Sequence, residues 1–264
     1  MKQFKTVLLF ALLVGAANLA LLSSGCKKDD GGTNGGGGGP TPITDDLFPL
    51  VALHQFVYAG YLVDTNAVTT PVAGTAAVYR TTWTLIPNPT GDGSYLIKDS
   101  TSVGTPGTPR FLQIKKDSSG SYWFRQTLGP FYRAIARRGV AITYSDTLIW
   151  VLIVKPSAGV GGTWVAFDST WTGTFGGSPV PVRLTINGSI SYPVSITDST
   201  ILHTQYSTYL SATTRTVVIG PTTVADGAIT GRFWLAKDIG PVQVNIAGDA
   251  ENYGHWRVMK SKTF

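Results

Sequence analysis

Short runs in which apolar and polar residues alternate, separated by Gly, Pro, Asn and Asp, recur along the chain from residue 76 to residue 259. A period of two places every second side chain on the same face of a strand. Thr, Val, Ile and aromatic residues fill these runs and favour pleated backbone, whereas Glu, a good helix former, occurs once in 264 residues. We therefore expect a mainly β fold: a single antiparallel sheet, strongly curved or forming a half-barrel, with one or two short helices.

Turn residues bound the runs that we predict as strands. Asp117-Ser118-Ser119-Gly120 is predicted to connect two strands as a hairpin, and the continuously apolar run Leu148 to Val154 is predicted to be buried on both faces. One helix is predicted from Leu47 to Tyr61, where apolar residues recur at helical spacing, and Phe131 to Arg138 fits either a short helix or a strand. The predicted strands are Ala76 to Ile86, Ser94 to Lys98, Phe111 to Lys115, Tyr122 to Gln126, Val140 to Tyr144, Leu148 to Val154, Ile201 to Leu210, Thr214 to Ile219, Ile229 to Ala236, Val242 to Ile246 and Tyr253 to Met259.

Asn187-Gly188 stands between two further alternating runs, and this dipeptide favours a tight hairpin turn. A two-residue turn would place the apolar side chains of the two runs on opposite faces of the sheet. A three-residue loop with a bulge would instead pair Leu184 with Ile190 on the same face. We predict the three-residue loop if only one face of the sheet is buried, and the two-residue turn if both faces are covered.

The N-terminal segment has the three parts of a secretory signal. Lys2 and Lys5 precede an apolar run from Val7 to Leu22, and small residues lead from there to Cys26. The apolar run has about 16 residues, fewer than the roughly 20 that a membrane-spanning helix needs. We therefore expect a cleaved signal peptide over residues 1–25, a lipidated cysteine and flexible tether over residues 26–46, and a β-rich globular domain over residues 47–264.

Leu22-Ser23-Ser24-Gly25-Cys26 resembles the lipobox of bacterial lipoproteins. In that family the cysteine thiol receives diacylglycerol before the signal peptidase cuts, so the resemblance implies acyl chains such as palmitate at Cys26. Cys26 is the only cysteine in the sequence, which excludes an internal disulfide. Lys27-Lys28-Asp29-Asp30 resembles the segment that sends some lipoproteins to the outer face of the outer membrane, so the resemblance implies a lipid anchor in the outer membrane and a location that faces the cell surface.

A glycine-rich segment follows the cysteine, with five consecutive glycines from Gly35 to Gly39, and is predicted to be a flexible coil. The net charge of +6 falls to +4 when Lys2 and Lys5 leave with the signal, because 19 basic residues then face 15 acidic ones. This small excess is spread along the chain and does not indicate binding to nucleic acid. The one basic cluster, which would form a solvated face or contact lipid headgroups, consists of Arg133, Arg137 and Arg138.

The second half of the chain is similar to a broad group of uncharacterised β-rich exported lipoproteins. Three segments carry this resemblance: Gly162-Thr163-Trp164, the region around Asn187-Gly188, and Phe233 to Val242. Some members of that group resemble the curved half-barrel of the periplasmic lipoprotein carriers of the LolA/LolB type. The resemblance implies an antiparallel fold and brings no catalytic residues with it.

No set of residues in the sequence predicts catalysis or metal binding. The histidines His54, His203 and His255 lie far apart, and no serine stands in a Gly-x-Ser-x-Gly elbow. Most aspartates stand beside turn residues, and the two acidic residues of other character, Asp168 and Glu251, do not suggest a catalytic pair. We expect no cofactor, no metal and no enzymatic activity.

Aromatic side chains are the remaining candidates for ligand binding. Trp171, flanked by Thr and Gly, is predicted to be the most exposed of the seven tryptophans, and Trp164, Tyr192 and Trp234 complete the candidate set. Exposed rings would stack on a glycan, whereas rings inside apolar strands would fill the core.

We expect a non-catalytic lipoprotein, anchored in the outer membrane through Cys26, that binds or scaffolds a ligand of the cell envelope. In one hypothesis, the curved sheet and a covering helix enclose a cavity for a lipophilic molecule. In a second, exposed aromatic rings hold a surface glycan. The third alternative is a hydrolase of an undescribed family.

Overall fold

The structure, a computed structural model, describes residues 40–65, 67–128, 135–136, 138–142, 148–199, 203–248 and 253–263. Strands dominate these residues. Helical backbone is found in α1 (Thr75–Val78), in a 3₁₀ turn at Pro156–Ala158 and at residues 135–136. The strands are β1 (Gln55–Val63), β2 (Tyr79–Pro87), β3 (Tyr95–Val103), β4 (Thr105–Pro106), β5 (Arg110–Lys116), β6 (Tyr122–Thr127), β7 (Val140–Ile142), β8 (Leu148–Val154), β9 (Thr163–Phe175), β10 (Ser178–Ile190), β11 (Val194–Thr197), β12 (Gln205–Ile219), β13 (Thr222–Ala236), β14 (Gly240–Ile246) and β15 (Gly254–Thr263).

All fifteen strands belong to one antiparallel sheet, which confirms the predicted fold class. The strand order is β7-β9-β10-β12-β13-β14-β15-β1-β2-β3-β5-β6-β8, with β4 paired to β3 and β11 paired to β12. The sheet is not closed into a barrel. Strands β15 and β1, which contain the last and first strand residues of the chain, are therefore neighbours near the middle of the sheet.

The sheet curves so strongly that its two halves pack against each other. We call the strands on either side of the central pair β15 and β1 the two limbs of the sheet. The indole Nε1 of Trp164 on β9 donates to the carbonyl oxygen of Leu152 on β8 at 2.8 Å, although these strands lie near opposite edges of the sheet. The ring of Phe124 on β6 stacks on that of Phe233 on β13, with centroids 5.7 Å apart. One hydrophobic core fills the space between the limbs.

The segment before β1 packs against one end of this core. The amide of Ile43 donates to the carbonyl oxygen of Pro156 at 3.0 Å, and the side chains of Leu47 and Phe48 are fully buried. The Phe48 ring meets Phe56, near the start of β1, edge-on at 6.0 Å. Residues 40–46, assigned to the tether by sequence, therefore lie against the domain, and Leu47 and Phe48 form what we call the N-terminal plug.

The helix predicted from Leu47 to Tyr61 is wrong. Residues 47–54 are not helical, and β1 begins at Gln55. The apolar spacing misled because two patterns meet there: Leu47 and Phe48 enter the core from an irregular segment, while Phe56 and Tyr58 alternate inward along a strand. The helix that does form, α1, has four residues and occupies the start of the strand predicted from Ala76.

The hairpin predicted at Asn187-Gly188 is also wrong, in both of its alternatives. Strand β10 runs straight through this dipeptide, with Asn187 facing Thr214 of β12 and Gly188 facing Trp164 of β9. A Cβ at Gly188 would lie 2.1 Å from the Trp164 ring, so the glycine makes room for an indole and does not form a turn.

Several shorter predictions are confirmed. Asp117 to Gly120 connects β5 and β6 as a hairpin, and the second half of the apolar run, Val151 to Val154, is buried. Its first residue, Leu148, is 48% exposed, so burial on both faces does not extend over the whole run. Two strands were predicted separately, Ile201 to Leu210 and Thr214 to Ile219. Residues 205–210 of the first and the whole of the second belong to the single strand β12.

Some predictions lie outside the described residues. These include the signal peptide, Cys26 with its lipid, Lys27 to Asp30 and most of Phe131 to Arg138. Among the helices that the structure describes, none is both long and apolar enough to cross a membrane.

Candidate ligand-binding site

A cavity of about 660 Å³ lies at one end of the curved sheet. Antiparallel pairing brings the end of β1, the start of β15, the end of β3 and the start of β5 together there. Its volume falls within the range of about 300–1,000 Å³ that small-molecule sites usually occupy. The residues that line it are Leu62, Asp99, Thr101, Val103, Gly107, Thr108, Pro109, Arg110, Tyr253 and His255.

A buried ion pair lies beneath this cavity. The Nη2 atom of Arg257 on β15 is 2.9 Å from Oδ2 of Asp99 on β3, and the two side chains are 1% and 9% exposed. The hydroxyls of Thr81 and Thr101 lie 2.8 and 2.6 Å from the other carboxylate oxygen. Burial alone would raise the pKa of Asp99, but Arg257 and these hydroxyls hold it below its ordinary value.

Two strands, β1 and β2, lie between Arg257 on β15 and Asp99 on β3. The residue paired with Arg257 on β1 is Gly60. A Cβ at Gly60 would lie 1.8 Å from the carbonyl oxygen of Trp256, so the backbones approach too closely there for any other residue. The guanidinium packs 5.2 Å from the centroid of the Trp83 ring, which adds a cation–π contact.

A second chain of hydrogen bonds links Arg257 to the cavity wall. Its Nε donates to the Tyr79 hydroxyl at 2.7 Å, and the same hydroxyl lies 3.0 Å from Nδ1 of His255. The Tyr79 oxygen accepts from Arg257, and its hydroxyl donates to Nδ1 when His255 carries its proton on Nε2, or accepts from Nδ1 in the other tautomer. Burial and the positive charge of Arg257 lower the pKa of His255 to about 3, so the ring is neutral at neutral pH.

This arrangement suits recognition better than proton transfer. Both oxygens of Asp99 already accept hydrogen bonds, and its charge is balanced by Arg257. A histidine with a pKa of about 3 does not accept a proton near neutral pH. Among the described residues that line the cavity, Asp99 is the one carboxylate, so no second acidic group faces it there.

A second, smaller cavity lies between the two limbs of the sheet. It measures about 120 Å³ and is lined mainly by side chains of the core, among them Trp83, Leu112, Phe124 and Phe233. This volume is well below the range of small-molecule sites. The interior of the curved sheet is therefore packed with the protein's own side chains.

The N-terminal plug fills the end of the sheet opposite the large cavity. Asp46, just before the plug, accepts a hydrogen bond from the Tyr122 hydroxyl and forms an ion pair with Lys116 at 3.1 Å. Burial would raise the pKa of Asp46, but these two partners hold it below its ordinary value. A second ion pair joins Asp45 to Lys237 at 2.9 Å.

The four aromatic residues proposed from sequence lie apart from the cavity. Trp164 and Trp234 are buried, 7% and 8% exposed, and Trp171 is half-buried. Tyr192 is 74% exposed and lies just before β11. None of the four belongs to the cavity lining, and sequence reasoning missed Asp99, Tyr253 and Arg257 as site residues.

No protein-family model matches the sequence, and no curated protein matches it. Two solved structures are similar to this chain. A candidate lipoprotein from Parabacteroides distasonis is 12% identical, with 84% of this chain and 100% of that chain covered and a TM-score of 0.42. A candidate exported protein with a YmcC-like fold from Bacteroides fragilis is 10% identical, with 83% and 100% covered and a TM-score of 0.42. Both similarities are too remote to transfer a function.

Proposed function

We propose that this protein is a lipid-anchored protein of the outer membrane, facing the cell surface, that binds a small polar ligand without changing it chemically. The observation that carries the binding role is the 660 Å³ cavity, whose lining residues Asp99 and His255 are held by hydrogen bonds to the buried side chains of Arg257 and Tyr79. Polar groups that are held in place before binding lose little freedom when a ligand arrives.

The anchor rests on the sequence around Cys26. A lone cysteine after a basic, apolar and small-residue segment is the pattern of a lipidated N terminus. Each buried methylene of an acyl chain contributes about 0.8 kcal/mol, so two or more chains would hold the domain at a membrane. The Lys and Asp residues that follow Cys26 support export to the surface.

Two observations favour a polar ligand over a lipophilic one. The interior cavity measures about 120 Å³, well below the volume of usual small-molecule sites. The larger cavity offers Asp99, Thr101, Thr108, Arg110 and His255 to a ligand, so about half of its lining residues are polar. An acyl chain would leave these groups without hydrogen-bond partners, which is costly.

Labelling tests the anchor. Cells fed labelled palmitate would express the wild type, Cys26→Ala and a control, Ser24→Ala, which keeps a small residue before the cysteine. We expect label on the wild type and on Ser24→Ala but not on Cys26→Ala, and degradation of the domain when intact cells are treated with protease. An unlabelled wild type would overturn the anchor, and a domain protected in intact cells would overturn the surface-facing location.

Native mass spectrometry tests the cavity. The protein would be purified gently from its own envelope as the wild type, as Thr108→Trp, which fills the cavity from an exposed loop position, and as Thr90→Trp, a control in an exposed turn after β2. We expect a small polar molecule to be released from the wild type and from Thr90→Trp, and not from Thr108→Trp. Phospholipid or no ligand in all three proteins would contradict the proposal.

A further inference from the structure

We propose that the ligand is a saccharide of one or two rings, held between the Tyr253 side chain at the mouth of the cavity and the hydroxyl, carboxylate and imidazole groups of its floor. This inference rests on the proposed binding function and specifies the class of ligand. It uses residues that the sequence did not single out for glycan binding.

Tyr253 supplies an apolar face next to polar groups. Its side chain is 51% exposed, it precedes β15, and it lines the cavity together with His255 two residues later. A sugar ring has an apolar face of C–H groups and a rim of hydroxyls. The aromatic ring of tyrosine packs against the C–H face, and its hydroxyl can form hydrogen bonds with the sugar hydroxyls.

The floor of the cavity presents both donors and acceptors. The hydroxyl of Thr108 can donate and accept, the hydroxyl of Thr101 donates to Asp99 and can accept from a ligand, and we infer that Tyr79 donates to Nδ1 of His255, which makes Nε2 a donor. A ligand that satisfies this mixture must itself carry several groups that both donate and accept. Sugar hydroxyls have this property, whereas phosphates and carboxylates only accept.

The charge of the described lining argues against a strongly anionic ligand. Asp99 and Arg257 compensate each other, and the low pKa of His255 leaves the imidazole neutral. Arg110 is then the one cation among the described residues that line the cavity. Phosphate sites ordinarily use several cations or a helix N-terminus, so a neutral or singly acidic sugar fits better.

Arg257 and Tyr79 act here as positioning residues. Neither lines the cavity, but in this proposal Arg257 donates to the Tyr79 oxygen, and the Tyr79 hydroxyl, 3.0 Å from Nδ1, favours the Nε2-protonated form of His255 by donating to that nitrogen. Tyr79→Phe keeps the ring and removes the hydroxyl. We expect this variant to shift the His255 tautomer in nitrogen-15 NMR spectra towards the Nδ1-protonated form and to weaken sugar binding about two- to tenfold, the value of one hydrogen bond.

Saturation-transfer NMR on the mature lipoprotein in phospholipid nanodiscs tests the ligand class. The probes are glucose, galactose, N-acetylglucosamine, glucuronate and cellobiose, with glycerol, glycine and inorganic phosphate as non-sugar probes. The variants are Tyr253→Ala and a matched control, Tyr192→Ala, at an exposed tyrosine outside the cavity. We expect at least one sugar to bind, with affinity reduced about fivefold or more in Tyr253→Ala and unchanged in Tyr192→Ala.

The outcomes separate this inference from the proposed function. Binding of glycine or phosphate that Thr108→Trp abolishes, with no sugar bound, would keep the binding role and overturn the saccharide. Sugar binding that depends on Tyr192 and not on Tyr253 would overturn the placement in the cavity. Binding of none of the probes, together with no ligand in native mass spectrometry, would overturn both.

Discussion

Arg257 on β15 and Asp99 on β3 meet at 2.9 Å although β1 and β2 lie between their strands. The curvature of the sheet brings the two side chains together, and the residue paired with Arg257 on β1 is a glycine, Gly60. The contact therefore joins residues 158 positions apart in the sequence. The contribution of this ion pair to the free energy of unfolding can be measured.

Removal of one partner of the ion pair is expected to destabilise the domain strongly. Asp99→Ala leaves the buried Arg257 without its counter-charge, and we expect a loss of about 3–5 kcal/mol in the free energy of unfolding, measured by urea denaturation. The double variant Asp99→Leu with Arg257→Met removes both charges. It is expected to be more stable than Asp99→Ala, because no uncompensated charge remains.

Asp168 provides the matched control. It forms a bidentate pair with Arg183 on the surface of β9 and β10, at 2.9 and 2.6 Å. Asp168→Ala is expected to change stability little, because water and salt screen exposed charges. Equal losses in Asp99→Ala and Asp168→Ala would show that burial does not set the cost.

His255 is expected to make the domain sensitive to mild acid. The pKa of its buried ring is about 3 in the folded protein, against about 6.5 in an unfolded chain. As pH falls below 6.5 the unfolded state takes up a proton that the folded state does not, so stability decreases. Between pH 6.5 and pH 4.5 this one group is expected to remove about 2 kcal/mol.

The test compares slopes of unfolding free energy against pH for the wild type and His255→Gln. We expect a shallower slope in His255→Gln, whatever its stability at pH 7. Ser211→Ala serves as the control, because its hydroxyl bonds to Ile153 in the core and it removes no titrating group. A slope in His255→Gln as steep as that of the wild type would place the acid sensitivity elsewhere.

Phe48 tests the N-terminal plug. Its side chain is fully buried against Phe56 and Tyr122, with ring centroids 6.0 and 6.3 Å away. Phe48→Ala is expected to cost about 3–5 kcal/mol in denaturant unfolding, since a large buried ring leaves a cavity. Val51→Ala, at a position 46% exposed, is expected to change stability by less than about 0.5 kcal/mol. Similar small effects in both variants would mean that residues 40–48 are dispensable.

Substitution of Gly188 tests why a glycine is found within β10. We expect Gly188→Ala to destabilise the domain by about 1–3 kcal/mol, because its Cβ would lie 2.1 Å from the Trp164 ring. Ser189→Ala next to it is expected to be nearly neutral. The informative measurement is Gly188→Ala in a Trp164→Ala background, where the clash is gone and the alanine should cost much less. An unchanged cost in that background would point to backbone conformation instead.

The strands were predictable because their signal is local. Alternation and turn residues located β5, β6 and their hairpin, and the scarcity of helix formers predicted the fold class. Asn187-Gly188 misled because a glycine that accommodates a neighbouring ring looks, in sequence, like a glycine that turns the chain. The difference lies in Trp164, which is 24 residues away and meets Gly188 only in the folded sheet.

The candidate site was hidden for the same reason. Asp99 lies on β3, whereas Tyr253 and Arg257 lie just before and within β15, more than 150 residues later, and nothing local indicates that β15 pairs with β1. Asp99 is followed by Ser100 and Thr101, as aspartates in turns often are, although it lies within a strand. One feature of β15 did indicate a buried charge, because Arg257 lies on the same inward face as Met259. Without the strand order, however, the sequence did not indicate which acidic residue pairs with Arg257.

Strand β1 runs from the N-terminal plug to the large cavity, so its length gives the distance between them. Phe56 touches the plug and Leu62 lines the cavity, which places them about 20 Å apart at the rise of an extended strand. The chain therefore enters the described domain at the end of β1 opposite the cavity, so a ligand can approach the opening without contacting residues 40–48.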